Sequence, residues 1–581
     1  MGVTPEITVY NDDKESGESK AHTRDTHLSV EEFSPTLEEG FRFRPSIRDE
    51  DVEDGSEDED SEARHRRRLA KRQNAGWRPG VREWLVLICV SIVVMMDAFD
   101  ATVVIPLVPY LSHAFARPLE NILWLPAGYL LANAGGQMIF ATLSEIFDYG
   151  SLMIAALLFA TAGTGICGGS MDFPDLLAGR TVQGIGGGGV MAISLLIVMD
   201  TMPGSHWVRY IGWLSTVRVI GAILGPLLGG LFVDYVRFNW AFYFNFAFCA
   251  LGLLVCPFAV HLGSKKGASL SKFKRMDWPG CILALTGVGL FLVGVCWGGT
   301  EYYWKDWETV MPITVGGVMI IALVFWEMLW ATRPLFTLRA LGLQDPRSTA
   351  IAYIGSFLHG FLIFCQLQYL VLYMTSVKYF SRSLAGIVSV VLTGQTLITI
   401  ILLCQAGILK KFQSHWTIRI GWAITLISTG CFIILHKRTP MPGVIFMFFA
   451  AGTGHGFLIS GYNAFFTEKG LQRQQEEDRG SNVSTTSLPI LMYPLLRTWG
   501  MCVAVPVVGT VLLGQLIRQM KKNGLDTSNE FYIRLNEILL SEGGRDELEI
   551  LDGVGFRLVW EVVTALAGVG GALSLFIKKS A

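Results

Sequence analysis

Two carboxylates, Asp97 and Asp100, lie three residues apart inside an apolar run, Asp97-Ala-Phe-Asp100-Ala-Thr102-Val-Val-Ile-Pro106. Residues at i and i+3 share a helix face. An ionised side chain at the centre of a bilayer costs roughly 2.5–3.5 kcal/mol or more. Each acid must therefore face water, pair with a cation or hold a proton. Burial and a like-charged neighbour both favour the protonated carboxyl, which suits such a pair to taking up and releasing protons. A static strut between one acid and an arginine is the blander alternative. The obvious cation is Arg180, in Leu177-Ala-Gly179-Arg180-Thr-Val-Gln183-Gly184-Ile-Gly186-Gly-Gly-Gly189. It serves either the two acids or an anionic group on a substrate. Arg218 is a second candidate. Seven residues past Ile211, it lies roughly 10 Å into its helix at 1.5 Å per residue. There it pairs with Asp97 or Asp200, or snorkels to the interface.

Glycines prepare close helix contacts around these charges. In Gly221-Ala-Ile-Leu-Gly225-Pro226-Leu-Leu-Gly229-Gly230, three glycines recur every four residues and line one face. Pro226 leaves a backbone carbonyl unbonded and allows bending. Weaker signals are His359 and His455, which either titrate near neutrality or pack through hydrogen bonds. Glu327 and Glu561 are expected at interfaces. Phe357, Phe361 and Phe364 either line an apolar cavity, or face lipid or pack against other helices. The ten cysteines, among them Cys89, Cys167 and Cys404, form no pairs or Cys/His clusters at metal-ligand spacing. No metal or other cofactor is expected. No nucleophile–base set is present, and no GxxxxGK[ST] phosphate loop that would signal ATP-driven pumping.

The elements that position these residues follow from composition. The chain has 581 residues, 51% hydrophobic and 17% charged, with a mean hydropathy of +0.43. Soluble chains carry about 25% charged residues. Residues 1–80 concentrate the charge in acidic and basic runs, and their composition predicts a disordered cytoplasmic tail. They contain no apolar signal-peptide core, so the first span is expected to direct its own insertion. Beyond them, apolar runs of about 20 residues, enough to cross a bilayer core, recur at 83–107, 122–143, 152–171, 177–200, 211–233, 240–261, 279–298, 310–331, 349–375, 384–405, 416–436, 442–466, 487–516 and 556–577. These fourteen runs predict an all-α polytopic membrane protein. Loops carrying Lys265, Lys266, Lys272, Lys274, Arg275, Arg333, Arg339, Arg347, Lys410 and Lys411 fall on one side, with the basic end of the tail. The positive-inside rule makes that side, and both termini, cytoplasmic. The sequon at Asn482 is then cytoplasmic and unglycosylated. The outer loop of about 517–555 is expected to hold a short amphipathic helix near Phe531–Leu540. No basic domain points to nucleic acid.

In this order, these stretches resemble the major facilitator superfamily, and specifically its fourteen-span drug:proton antiporter branch. Asp100-Ala-Thr102 matches an LDxT-type motif. Trp124 and Tyr129 match the span 2 aromatics. Arg180, Gln183 and Gly184 match RxxQGxGGG, and Gly221 to Gly230 with Pro226 match GxxxGPxxGG in full. Likeness continues at Trp240 to Asn245, at Arg333-Pro334-Leu-Phe336, at Gly452, Gly454 and Gly456, and at Arg497-x-x-Gly500. It covers roughly residues 83–577. The resemblance implies two six-helix bundles, 81–262 and 349–581, related by a pseudo-two-fold axis, with two inserted helices in 263–348. It also implies alternating access, and proton-coupled efflux of small organic compounds such as toxins, drugs or secondary metabolites. The expected partners are a small-molecule substrate, protons and membrane lipid. The expected state is a monomer in the plasma membrane, with the vacuolar membrane as the alternative. Asp97, Asp100, Arg180, Gln183, Arg218 and Arg497 are the candidate coupling and substrate residues. The rival functions are a proton-coupled importer of siderophores or nutrients, and a transport-incompetent sensor or scaffold. One departure stands out. The family's loop between spans 2 and 3 reads close to GxLSDxxGR[RK], but here Glu145 and Asp148 stand in a remnant that lacks its basic residues. Trp207 occupies the place of a usual loop arginine. The inter-bundle charge latch is therefore rebuilt elsewhere, for instance around Arg209, or is weak.

Overall fold

The computed structural model describes residues 77–260, 277–299, 301–330, 345–408, 413–477, 488–522 and 554–578. The charged tail to residue 76, the Asn482 sequon, Arg333 to Phe336 and the expected amphipathic helix near 531–540 lie outside these residues. Among the described residues regular structure is helical, apart from one isolated bridge between Gly298 and Tyr302. The long helices are α1 Val81–Val103, α2 Trp124–Leu143, α3 Tyr149–Gly169, α4 Phe173–Thr201, α5 Trp207–Tyr235, α6 Asn245–Ala259, α7 Trp278–Trp297, α8 Trp307–Leu329, α9 Pro346–Ser376, α10 Arg382–Ile400, α11 Ser414–Phe432, α12 Met441–Glu477, α13 Leu488–Lys522 and α14 Val554–Ser574.

Among the described residues twelve helices are long and apolar enough to cross a membrane. The two that fall short of that standard are α2 and α11, at 20 and 19 residues. They carry polar side chains such as Asn133, Gln137, His415 and Arg419. Helix starts are set by local chemistry. Asp148, Asp172, Asp277, Asp345 and Ser381 each accept a backbone N–H of the turn they precede, satisfying donors that have no partner within the helix. Asp148, read from the sequence as part of a latch remnant, thus caps α3. Glu145 is exposed in the same loop. Helix α1 loosens where Thr102 Oγ1 bonds back to the Ala98 carbonyl (2.8 Å) and Pro106 and Pro109 interrupt the backbone ladder. The chain continues through a short 3₁₀ turn, Ile105–Leu107, into Val108–Ala114.

Packing repeats with a shift of eight helices. In α1–α6 the main partners are α2 with α4, α3 with α4 and α1 with α5; in α9–α14 they are α10 with α12, α11 with α12 and α9 with α13. The two groups meet through α5 on α10 and α13 on α2, contacts that the same shift exchanges. Helices α7 and α8 pack chiefly on one another, and α7 also touches α2 and α13. Glycine supplies the close approaches in both groups. On α4, a Cβ at Gly184 or Gly188 would strike the α2 backbone and one at Gly186 the α3 backbone; on α12, Gly452 abuts Leu392 and Gly454 abuts Thr425. On α5, Gly221, Gly225 and Gly229 abut Met95, Thr102 and Val103 of α1, while Gly230 abuts the Arg382 carbonyl at the start of α10. Pro226 presents its carbonyl to Gly386 of α10.

One sequence expectation needs correction, and two open alternatives are decided. Glu327 is fully buried rather than interfacial, because α8 turns this edge toward α7, near Cys281. Arg218 does not snorkel, since its side chain is 11% exposed and points inward to Asp97. Phe357, Phe361 and Phe364 do not line a cavity. Phe361 and Phe364 are buried in the apolar core and Phe357 packs against it, where glycines 360 and 500 let α9 and α13 touch backbone to backbone.

Candidate functional site

The two acids of α1 are both 1% exposed, yet they face different surroundings. Asp97 Oδ1 accepts from Asn133 Nδ2 (2.7 Å) and from the Tyr129 hydroxyl (3.0 Å), both on α2. Its Oδ2 lies 3.6 Å from Arg218 Nη2 of α5 and has no hydrogen bond. Asn133 Oδ1 in turn accepts from Gln137 Nε2 (2.8 Å), which also donates to Thr498 Oγ1 of α13 (2.9 Å). A polar chain therefore runs from Asp97 across the seam between the two helix groups. Gly187 of α4 roofs this cluster. A Cβ there would sit 2.5 Å from Asp97 Oδ1 and 2.7 Å from the Tyr129 hydroxyl.

Asp100 turns the other way, into the interior of the first group. Its Oδ2 accepts from Asn245 Nδ2 of α6 (2.8 Å), and its Oδ1 is buried without a partner. Arg180, fully buried, does not form an ion pair with either acid among the described residues. It donates instead to the Asp100 carbonyl (2.8 Å) and to Gln183 Oε1 (2.8 Å), and lies 4.1 Å over the Tyr129 ring. Gln183 and Asn245 both donate to Thr164 Oγ1, at 3.0 and 3.1 Å. The expected Arg180–carboxylate pair is thus replaced by a lattice of amides and a hydroxyl.

In the corresponding interior of the second group the side chains of α9, α11 and α12 are joined by neutral hydrogen bonds, with the Arg497 guanidinium of α13 near His359 and His455. His455 Nε2 meets Gln366 Oε1 (3.0 Å), and Gln366 donates to Thr429 (2.9 Å). His359 stacks beside His455, with centroids 5.4 Å apart, and its Nδ1 meets the Tyr493 hydroxyl (3.3 Å). Trp422 donates to the Tyr462 hydroxyl (2.9 Å). These histidines are packed through hydrogen bonds, the plainer of the two expectations.

Between the groups lies a small, partly open cleft, walled by α4, α5, α12 and α13, with Arg218 on one side and Arg497 on the other. Its lining residues lie in the half of the molecule where α1 begins, called here the near face. The far face is shut. There Asp234 of α5 binds Arg382 Nη1 (3.3 Å) and the Ser383 amide (2.8 Å), and Arg382 lies 5.5 Å over the Tyr110 ring. On the near face, Asn463 donates to Ser215 (2.8 Å) and Gln405 to the Arg209 carbonyl (3.1 Å). The Trp207 indole donates to the Met202 carbonyl (2.9 Å). Arg209 thus joins the groups through its backbone.

Asn133, Gln137, Thr164, Asn245, Tyr493 and Thr498 were not singled out as site residues from the sequence. Asn133 and Gln137 carried a legible signal, two amides at i and i+4 within an apolar run.

A model described as the Major Facilitator Superfamily matches residues 90–487, more than half of the chain. An MFS transporter of Phoma sp. is 27% identical over 515 residues, covering 87% of this chain and 83% of the relative. An acurin A biosynthesis cluster MFS-type transporter of Aspergillus aculeatus is 27% identical and covers 88% and 92%. An MFS-type efflux pump of Fusarium sp. is 26% identical and covers 86% and 88%. Among solved structures, a bacterial homolog of the human lysosomal transporter Spinster, inward-facing and occupied, aligns with a TM-score of 0.51 at 16% identity. That alignment covers 86% of this chain and 97% of the bacterial one.

Proposed function

Because the chain belongs to the Major Facilitator Superfamily, and is therefore a multi-pass membrane transporter rather than an enzyme, we propose that it exports small organic molecules by proton-coupled alternating access. The efflux direction is supported by relatives named as efflux pumps and as transporters of biosynthesis clusters. In this reading all fourteen long helices cross the membrane, α2 and α11 included, because each takes the same part in packing as its more apolar neighbours. The six-helix bundles are 81–262 and 349–581, and α7 and α8 are the inserted pair within 263–348. Both termini lie in the cytoplasm, in the plasma membrane of the cell. The near face is then cytoplasmic, and the closed far face supports reading this as the inward-facing state.

Asp100 carries the coupling. The supporting observation is its buried carboxyl, held by one amide, with the other oxygen unpartnered. A proton from outside neutralises it while the outer face is open, and the weakened pull on Asn245 lets α1 move against α6. Deprotonation toward the cytoplasm resets the bundle. Arg180 and Gln183 keep the α1 backbone in register through the Asp100 carbonyl. The glycine faces of α4 and α5 are the surfaces on which α1 and α2 slide. One charge crossing ~100 mV supplies ~2.3 kcal/mol, and one pH unit ~1.4 kcal/mol. Together these sustain roughly a several-hundredfold gradient of a neutral substrate.

The test is uptake of toxic organic compounds into inverted vesicles with and without a pH gradient. Gradient-dependent uptake that survives Asp100→Asn at normal expression would remove Asp100 from the coupling role. Depletion rather than accumulation in the same vesicles would favour import.

A further inference from the structure

Among the described residues, the charges around the cavity do not balance. Arg218 and Arg497 line it from opposite bundles, close enough to repel one another. The acid they share is Asp97, which acts on both. Its contact with Arg218, at 3.6 Å, is longer than the 2.7–2.9 Å of a direct charge-assisted bond. The other terminal nitrogen of Arg218 has only the Met191 thioether at 3.1 Å, a weak acceptor. Arg497 is 9% exposed, its Nε is buried without a partner, and its side chain engages the neutral Tyr493 hydroxyl. The remaining acid of the region, Asp100, is turned away toward Asn245 and Arg180. Among the described residues two guanidinium groups therefore face one carboxylate, which neither of them binds closely. Buried cations without partners are strongly unfavourable. The other walls, Met191, Leu195, Leu214 and Ile490, are apolar.

Resting on the transporter reading above, we propose that the cavity takes an amphiphilic organic anion, whose carboxylate sits between Arg218 and Arg497 while its apolar body lies against α4 and α13. A planar carboxylate matches the guanidinium fork. Because the arginines belong to different bundles, the anion ties the two together at their centre. Asp97 competes with it for Arg218, so losing the Asp97 charge strengthens anion binding.

Binding decides this without any gradient. The probes are radiolabelled 1-naphthoate, 1-naphthamide and 1-naphthylmethylammonium, which share a ring system and differ in charge. They are titrated onto the purified full chain in nanodiscs, with empty nanodiscs subtracted. Naphthoate is expected to bind at least about tenfold tighter than the other two. Arg218→Gln and Arg497→Gln should each weaken it by about tenfold or more, Arg497→Lys by less, and Asp97→Asn should tighten it several-fold. Thermal unfolding confirms that each variant is folded, and the wild-type comparison of the three probes stands even if one is not. Equal or tighter binding of the ammonium or the amide overturns the proposal. So does unchanged naphthoate affinity in folded Arg→Gln variants, or no saturable binding of any probe. Anion binding that persists without gradient-driven flux would overturn the coupling reading instead and leave this one standing.

Discussion

The two helix groups share one packing scheme and contain opposite chemistry. Around α1, α2 and α4 the buried polar residues are charged, with Asp97, Asp100 and Arg180 set among amides. Around α9, α11 and α12 the equivalent space holds His359, His455, Gln366, Trp422 and Tyr462, joined by neutral hydrogen bonds and ring contacts. Glycine-mediated contact on α4 recurs on α12, so the difference does not come from backbone geometry. The fold demands small residues at fixed crossings. The charge state of the space they enclose is set independently.

The sharpest way to break this contrast is Asp100→Asn. Loss of the proposed proton site should collapse the several-hundredfold gradient set by ~3.7 kcal/mol of driving force, read as substrate accumulation in inverted vesicles. Next comes Gly187→Ala, which drives a methyl group into Asp97, Tyr129 and Asn133. It should cost about 1–3 kcal/mol of stability and lower transport as well. Its counterpart Gly454→Ala, against Thr425, should lower the melting temperature comparably but leave the pH dependence of transport intact. Asp234→Asn removes the far-face clamp on Arg382. The pair is partly exposed, so about 0.2–1 kcal/mol is expected. It should appear as severalfold faster labelling of a cysteine placed at Tyr110 by an impermeant maleimide.

A pH effect follows at Glu120, in the short helix Leu119–Ile122 between α1 and α2. Burial, and then the nearby charge of Glu301, push its carboxyl up to about 7 against a backbone hydrogen bond. A raised carboxyl contributes stability that is full below its ordinary value near 4.5 and is lost as pH rises through about 7. Glu120→Gln should therefore leave melting unchanged at pH 5 and raise it by about 1–3 °C relative to the parent at pH 8. The smallest effect is expected for His455→Gln, where gradient-driven transport should stay within about twofold. A large loss there would show that the second group also handles protons.

Much of this was legible in the sequence because lipid restricts what a chain can do. Apolar runs of bilayer length announce helices, and glycines every four residues announce their contact faces. The fourteen long helices overlap the expected runs, although α12 extends to Glu477 beyond its apolar stretch, and the short helices Val108–Ala114 and Leu119–Ile122 fall between runs. The acids were legible because carboxylates in an apolar run are costly. Their partners were not. Arg180 and Arg218 each stood as candidates, and only rotation about the helix axes gave Asp97 to Arg218 and left Arg180 on a backbone carbonyl. Asn245 was visible only as one residue of a matched stretch, since an amide carries no charge to mark it. Glu327 was misplaced because hydropathy cannot tell a face packed on a partner helix from one in lipid.

The contact between Gly230 and the Arg382 carbonyl offers a lever on the molecule's shape. At that point the far face closes with no atom to spare. A single methyl group would act as a doorstop, holding that face ajar without touching the central polar side chains. Such a wedge would shift the resting population toward the opposite orientation, and would supply that form as a stable species for direct study.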